Sequence, residues 1–400
     1  MNDFEQVRFT DPSLIREHAL KAIDFYVPQC MDDNHGGFYM GYYDDGTVYD
    51  TKTKDLIGTA RFIIDFALGN LLSESDRYSG YIAHGLKFLI NTHRDEEHGG
   101  YYQLIDGINP ATEKPKTAYG HAFVLAALCN ALRVGVAGVG PLIEELYELL
   151  EKSLWENEHG LYAAEASSDF SKIFPYRGQN SNMHMTEALL TAYEVTGESD
   201  YLERAFQMAY KITQVLPKQS NGLIWEHYNS NWVIDPNYNK DRPEDIYRPY
   251  GFLPGHFLEW AKLLVILERY KPATWQLETA CNLFDQAILY GWDKETGGFN
   301  YTFDFSGKVL DTNRYYWPHG EGIASAYLLA SRTGNSYYLK WYEEFWDYAL
   351  RNLIDEEYGG WYRVVDKKGH PLSNKKSIPG KTDYHVVSAC YEIITTIKRT

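Results

Sequence analysis

Apolar residues recur at i, i+3, i+4 spacing in twelve runs along the chain, and polar, glycine-bearing segments separate them. The pattern predicts helices over 12–28, 55–73, 75–93, 117–134, 141–155, 181–196, 199–214, 255–270, 274–290, 318–333, 335–352 and 383–398. Six of the separating segments share a turn. They begin at Asp32-Asp-Asn-His-Gly-Gly, Asp95-Glu-Glu-His-Gly-Gly, Glu156-Asn-Glu-His-Gly-Leu, Gln219-Ser-Asn-Gly-Leu, Asp293-Lys-Glu-Thr-Gly-Gly and Asp355-Glu-Glu-Tyr-Gly-Gly. Polar residues before glycine and an aromatic or β-prone run after it predict a hairpin at each. The glycines Gly36, Gly99, Gly160, Gly222, Gly297 and Gly359 recur roughly every 60 residues, with one longer step. Six such units, each holding two helices and a hairpin, describe an all-α (α/α)6 barrel with short β-hairpins between helix pairs.

No change of composition and no Pro/Ser-rich linker divides residues 1–400, so the chain reads as a single catalytic domain. The longer step holds an insert, Asp235-Pro-Asn-Tyr-Asn-Lys-Asp-Arg-Pro-Glu-Asp245, without helical period. It reads either as a lid over the barrel mouth or as a solvated surface loop.

Composition narrows the partners. The formal net charge is -17 and no Lys/Arg run stands out, which argues against nucleic acid and anionic membrane. Aromatic residues make up 16%, with 34 Tyr and 10 Trp, and rings with a polar edge suit sugar faces as well as cores. The four cysteines lack metal spacing. Cys129, Cys281 and Cys390 fall in apolar helical runs and read as reduced, buried thiols. The opening Met-Asn-Asp-Phe-Glu-Gln carries no leader pattern, and no stretch of about 18 apolar residues is read, so a cytoplasmic location is expected. A homo-oligomer is left open.

In a barrel of this kind the inner helices turn their N-terminal ends toward one mouth. The residues predicted there are Arg61, Tyr119 with His121, Asn180 with His184 and Glu187, His256 with Glu259, Trp317 with His319 and Glu321, and His385 with Glu392. His256 and Glu259 stand three apart on the first turn of a helix, and His184 and Glu187 repeat the spacing. A carboxylate one turn away fixes an imidazole's tautomer and raises its basicity. His121 and His319 read equally well as backbone clasps at helix starts. The chain has no dinucleotide or phosphate loop, no Gly-x-Ser-x-Gly elbow and no His-Glu-x-x-His. Several histidines, an arginine and no nucleophile point to proton transfer. Moving a proton from the carbon beside a sugar aldehyde needs a base, an acid, and a cation for the enediolate.

The run Pro254-Gly-His256-Phe-Leu-Glu259-Trp-Ala-Lys-Leu-Leu resembles the Pro-Gly-His-x-x-Glu motif of the N-acylglucosamine 2-epimerase superfamily. Asn180-Ser-Asn-Met-His184-Met-Thr-Glu187, Trp317-Pro-His-Gly-Glu321 and Lys381-Thr-Asp-Tyr-His385 are similar to further family signatures, in the same order. The resemblance implies an (α/α)6 barrel that needs neither metal nor cofactor and acts on a small-molecule sugar. It implies that His256 and His385 are the acid/base pair, that Glu259 supports His256, and that Arg61 stabilises the enediolate. His184, Tyr119, Asn180, Arg248, Trp317 and Glu321 would line the sugar site. Trp317-Pro-His-Gly-Glu321 departs from the Trp-Pro-Gln-Ala-Glu of epimerases acting on disaccharides, and Glu259-Trp-Ala-Lys-Leu-Leu resembles the mannose isomerase side. The expectation is therefore mannose–fructose isomerisation, with 2-epimerisation as the alternative. A sulfosugar isomerase using Arg248 or Arg314 for the sulfonate remains open. So do a glycoside hydrolase built on Glu187, Glu259 and Glu321, a metal-dependent isomerase and a non-catalytic sugar-binding barrel.

Overall fold

A computed structural model describes residues 9–399. Residues 1–8, on which the reading of the opening segment rests, and residue 400 lie outside the described residues. Within them stand α1 (Pro12–Asp24), α2 (Leu56–Ser73), α3 (Ser79–Phe88), α4 (Ala118–Arg133), α5 (Gly140–Ser153) and α6 (Gln179–Thr196). They are followed by α7 (Ser199–Tyr210), α8 (Pro254–Tyr270), α9 (Thr274–Gly291), α10 (Tyr316–Thr333), α11 (Ser336–Asn352) and α12 (Tyr384–Arg399). Every helix read from the apolar period is present. α1 stops at Asp24, ahead of the expected 28, because Pro28 cannot continue a helix. α10 starts two residues earlier than expected. Its Pro318 lies in the first turn, where a backbone donor has no intrahelical partner to lose.

α2, α4, α6, α8, α10 and α12 pack side by side in that order, and α12 returns to α2, closing a ring. α3, α5, α7, α9 and α11 back the helices they follow, and α1 lies against α12 and α2. Burial explains the division. α8 is buried continuously from Pro254 to Leu267, whereas α7 buries only Tyr201, Leu202, Ala205, Met208 and Ala209 on one face. α2 is long and apolar enough to cross a membrane by length and composition, although Arg61 and Asp65 interrupt its apolar run, and 89% of it is buried among the other helices. Cys30, Cys129 and Cys390 are buried, as a core thiol should be, while Cys281 on the outer helix α9 is only half-buried.

The shared turn has a physical explanation best seen at Asp95. Its Oδ1 accepts from the backbone of Glu97 and His98, at 3.0 and 3.1 Å, while Oδ2 takes the buried ammonium of Lys116 at 2.6 Å. The two chain ends then close at Gly99 and Gly100, both with positive φ. A side chain at Gly100 would sit 2.6 Å from His121 Nε2. The same cation-to-turn pairing joins Lys54 to Asp32, Arg177 to Glu156, Arg314 to Asp293 and Lys376 to Asp355. Five of the six expected hairpins form this way, closing through residue pairs seven apart such as Arg94 and Tyr101. The fourth does not. A 3-10 turn, Leu216–Gln219, takes its place, since this segment has Pro217 and lacks the leading acid that fixes the others.

His121 and His319 are clasps for these hairpins. His121 Nδ1 bonds the Thr117 carbonyl at 2.7 Å, and Nε2 accepts from Tyr101 N at 3.0 Å. His319 does the same with the Tyr315 carbonyl and Phe299 N, at 2.8 and 3.1 Å. Both ring nitrogens are occupied, so neither residue is free for a substrate. Glu392 pairs with Arg269 at 3.1 Å, midway along α12 and beyond its first turn.

Candidate functional site

The first turns of the ring helices open on a cavity of about 730 Å3. Arg61 from α2, Tyr119 from α4, Asn180 and His184 from α6, His256 and Glu259 from α8, Trp317 from α10 and His385 from α12 all line it. The insert after the fourth turn covers one side. Tyr238, Asn239, Arg242 and Asp245 of the insert, with Ile246, Tyr247 and Arg248 after it, face the same space, while most of the insert is also exposed to solvent. Arg248 is held at the edge by Glu165 at 2.7 Å and by the Tyr238 hydroxyl at 3.0 Å, with its guanidinium 4.0 Å from the centre of the Tyr176 ring.

Three imidazoles share one arrangement. Each lines the cavity and turns Nδ1 to a carboxylate. His385 Nδ1 stands 2.7 Å from Glu321 Oε1, and His184 Nδ1 stands 3.1 Å from Glu187 and 3.5 Å from Glu259. His256 Nδ1 stands 2.9 Å from Glu226 Oε1. Around Glu226 the orientation is over-determined. Trp260 Nε1 donates to Gln179 Oε1 at 2.8 Å, which turns the Gln179 amide nitrogen onto Glu226 Oε2, also at 2.8 Å. The Trp317 ring lies 5.1 Å from that of His256 and 5.6 Å from that of His385, so one indole floors both. It reaches that place because residue 255 is glycine: a Cβ there would meet the indole at 2.5 Å.

Three residues take other places than the sequence predicts. Glu259 does not support His256. It sits one helical turn on and faces His184, and the carboxylate behind His256 is Glu226. Nor does Glu321 line the sugar site: it is 1% exposed and lies behind His385, bonded also to Lys262 at 2.7 Å. Arg314, offered for a sulfonate, is fully buried and committed to Asp293 and Asn300.

Burial sets the protonation states. Glu259 is fully buried, neither carboxyl oxygen has a hydrogen-bond partner among the described residues, and burial with the nearby Glu321 charge pushes its pKa well above the carboxylate range. The protonated form of Glu259 is therefore favoured relative to an ordinary carboxyl group. Burial, with the Arg61 charge, pulls His385 well below the ordinary histidine value, and burial lowers His184 as well. Both rings are neutral and able to accept. Asn180 Oδ1 is another buried atom without a hydrogen-bond partner among the described residues, suited to a hydroxyl ligand. His184, Glu187 and Glu259, and again Glu259, Glu321 and His385, converge within 4.8 Å. The ammonium of Lys262, 2.7 Å from Glu321 and 3.3 Å from Glu187, is the cation already among them.

Residues 36–389 match the family described as N-acylglucosamine 2-epimerase (GlcNAc 2-epimerase). The chain is 41% identical over 390 residues to a D-mannose isomerase of Marinomonas mediterranea, covering 97% of this chain and 98% of that one. It is 24% identical to a cellobiose 2-epimerase of Ruminococcus albus, covering 96% and 98%. A crystal structure of D-mannose isomerase superposes with a TM-score of 0.94 at 41% identity, covering 97% of this chain and 99% of that one.

Proposed function

The chain belongs to the N-acylglucosamine 2-epimerase family, and we propose that it is a sugar isomerase interconverting D-mannose and D-fructose through an enediol. The observation that carries this reading is that His256, His385 and Arg61, from three different helices, line one cavity. We read residues 1–400 as one catalytic unit, a closed (α/α)6 barrel. Buried thiols at Cys30, Cys129 and Cys390 suit a reducing compartment, and we place the protein in the cytoplasm.

With the open-chain aldose bound, one of the two imidazoles takes the C2 proton. The C2–H electrons become the C1=C2 bond, and O1 gains a proton to give the enediol. Returning a proton to C1 while O2 loses its own yields the ketose. Returning it to the opposite face of C2 would give the 2-epimer from the same residues. Arg61 offers its positive charge to the enediolate, and Trp317 presents an apolar face to the sugar. A glycoside hydrolase would need two free carboxyl groups across the scissile bond. Glu187 and Glu321 are instead spent on histidines and on Lys262.

Proton NMR of EDTA-treated protein with D-mannose in D2O tests the proposal. Fructose should appear with deuterium at C1 or C2 and no demand for added metal. Glucose rising first with deuterium at C2 would make the protein a 2-epimerase. No exchange with mannose, glucose or fructose would overturn the isomerase reading. A second expectation concerns the correction above. Glu226→Gln removes the anion behind His256 and should lower kcat by ~10–100-fold with KM little changed. If Glu259 rather than Glu226 supported His256, Glu226→Gln would be near-silent in steady-state kinetics.

A further inference from the structure

Behind the cavity, ionisable groups form one continuous path, buried except at Glu187, whose side chain is 14% exposed. It runs from His385 to Glu321 (2.7 Å), to Lys262 (2.7 Å), to Glu187 (3.3 Å) and to His184 (3.1 Å). Lys262 lies at its centre, 1% exposed, and does not reach the cavity. The groups around it come from every ring helix packed there: Glu187 and His184 on α6, Glu321 on α10, Tyr384 and His385 on α12, Arg61 on α2, and Glu259 one turn back on α8. Three carboxyl groups thus surround one ammonium.

We propose that Lys262 is a positioning residue for both histidines, keeping Glu187 and Glu321 ionised so that His184 and His385 each face an anion at Nδ1. Glu187 and Glu321, both within 3.3 Å of one ammonium, repel each other, and with little water around them the cation between them is what lets both stay charged. Replacing the ammonium by an uncharged group therefore costs no net charge: one carboxyl takes up the proton that the lysine carried. The histidine behind that carboxyl then loses its anionic partner and becomes a weaker base. Glu187 and Glu321 raise the Lys262 pKa despite its burial, and Lys262 in turn draws both carboxyls down, leaving Glu187 below the ordinary carboxylate value although burial still holds Glu321 above it.

The kinetic part of the test rests on the isomerase reading, and the spectroscopic part does not. Lys262→Met should lower kcat on mannose by ~100-fold at pH 7. The deficit relative to the parent enzyme should shrink between about pH 7 and 9, as the neutralised carboxyl ionises again. Lys262→Arg keeps the cation and should stay near the parent at every pH. 13C-carboxyl NMR of glutamate-labelled protein should show one more carboxyl titrating above about pH 6 in Lys262→Met than in the parent. A deficit that is constant with pH, together with no added titration, would overturn the role assigned to Lys262. If the parent does not turn over mannose while the added titration appears, the isomerase reading fails and the charge role stands. Lys262→Gln replaces the methionine variant should that one melt at room temperature.

Discussion

Replacing His385 by alanine should lower kcat for mannose consumption by ~1,000-fold or more, and His256→Ala should do the same. Each variant removes one end of the proton transfer, and the third imidazole of the cavity, His184 on α6, is held by Glu187 and does not take its place. His385 is the sharper case. Burial and Arg61 keep its imidazole neutral, Glu321 fixes the proton on Nδ1, and Nε2 is left as the acceptor. The Glu321–Lys262 pair remains intact when the ring is deleted, so the melting temperature should change little. Initial rates, together with loss of the C2 proton of mannose in D2O, separate the steps. A variant that still exchanges the C2 proton but makes no fructose has kept its base and lost the second transfer. Near-parent rates in either variant would remove that histidine from the mechanism.

What could be read in the sequence was local. His184 with Glu187, three apart on one helix, pair as their spacing demands, and the apolar periods place all twelve helices. The helix mouths were also legible, because a polar residue at the start of a fully apolar run is costly without a purpose. Partners that cross between helices were not. His256 and Glu259 have the same spacing as His184 and Glu187, yet Glu259 turns to His184 on α6. Glu226, the real partner of His256, arrives from the chain before the insert, 30 residues upstream. The one signal was its place directly after the Leu223-Ile-Trp225 run of the fourth turn, at the mouth end. His121 and His319 show the reverse limit. They stand at helix starts like His184, but each lies 20 residues after the hairpin amide it accepts, and a clasp is the use made of it.

Arg61→Met should cost ~100–1,000-fold in kcat and leave the protein as stable as the parent or more so. The guanidinium is 7% exposed, and among the described residues no carboxylate forms an ion pair with it. Its neighbours are the Gly380 carbonyl at 2.8 Å, the Tyr119 hydroxyl at 3.2 Å, and the rings of Phe123 and Tyr384 at 4.4 and 5.2 Å. These hold a planar cation in place without neutralising it. A buried charge with no ion-paired carboxylate, offset only through space by Asp65 one turn along α2, is costly to desolvate, and methionine removes that cost while filling similar volume. The same charge becomes favourable when an enediolate forms beside it. Arg61→Lys separates charge from shape, since an ammonium is a point donor that cannot keep Gly380 and Tyr119 and also reach the sugar. It should recover part of the rate. Thermal melts read beside turnover decide the matter: a loss of rate with a higher melting temperature marks a residue kept for the transition state, whereas a loss of both would mark Arg61 as structural.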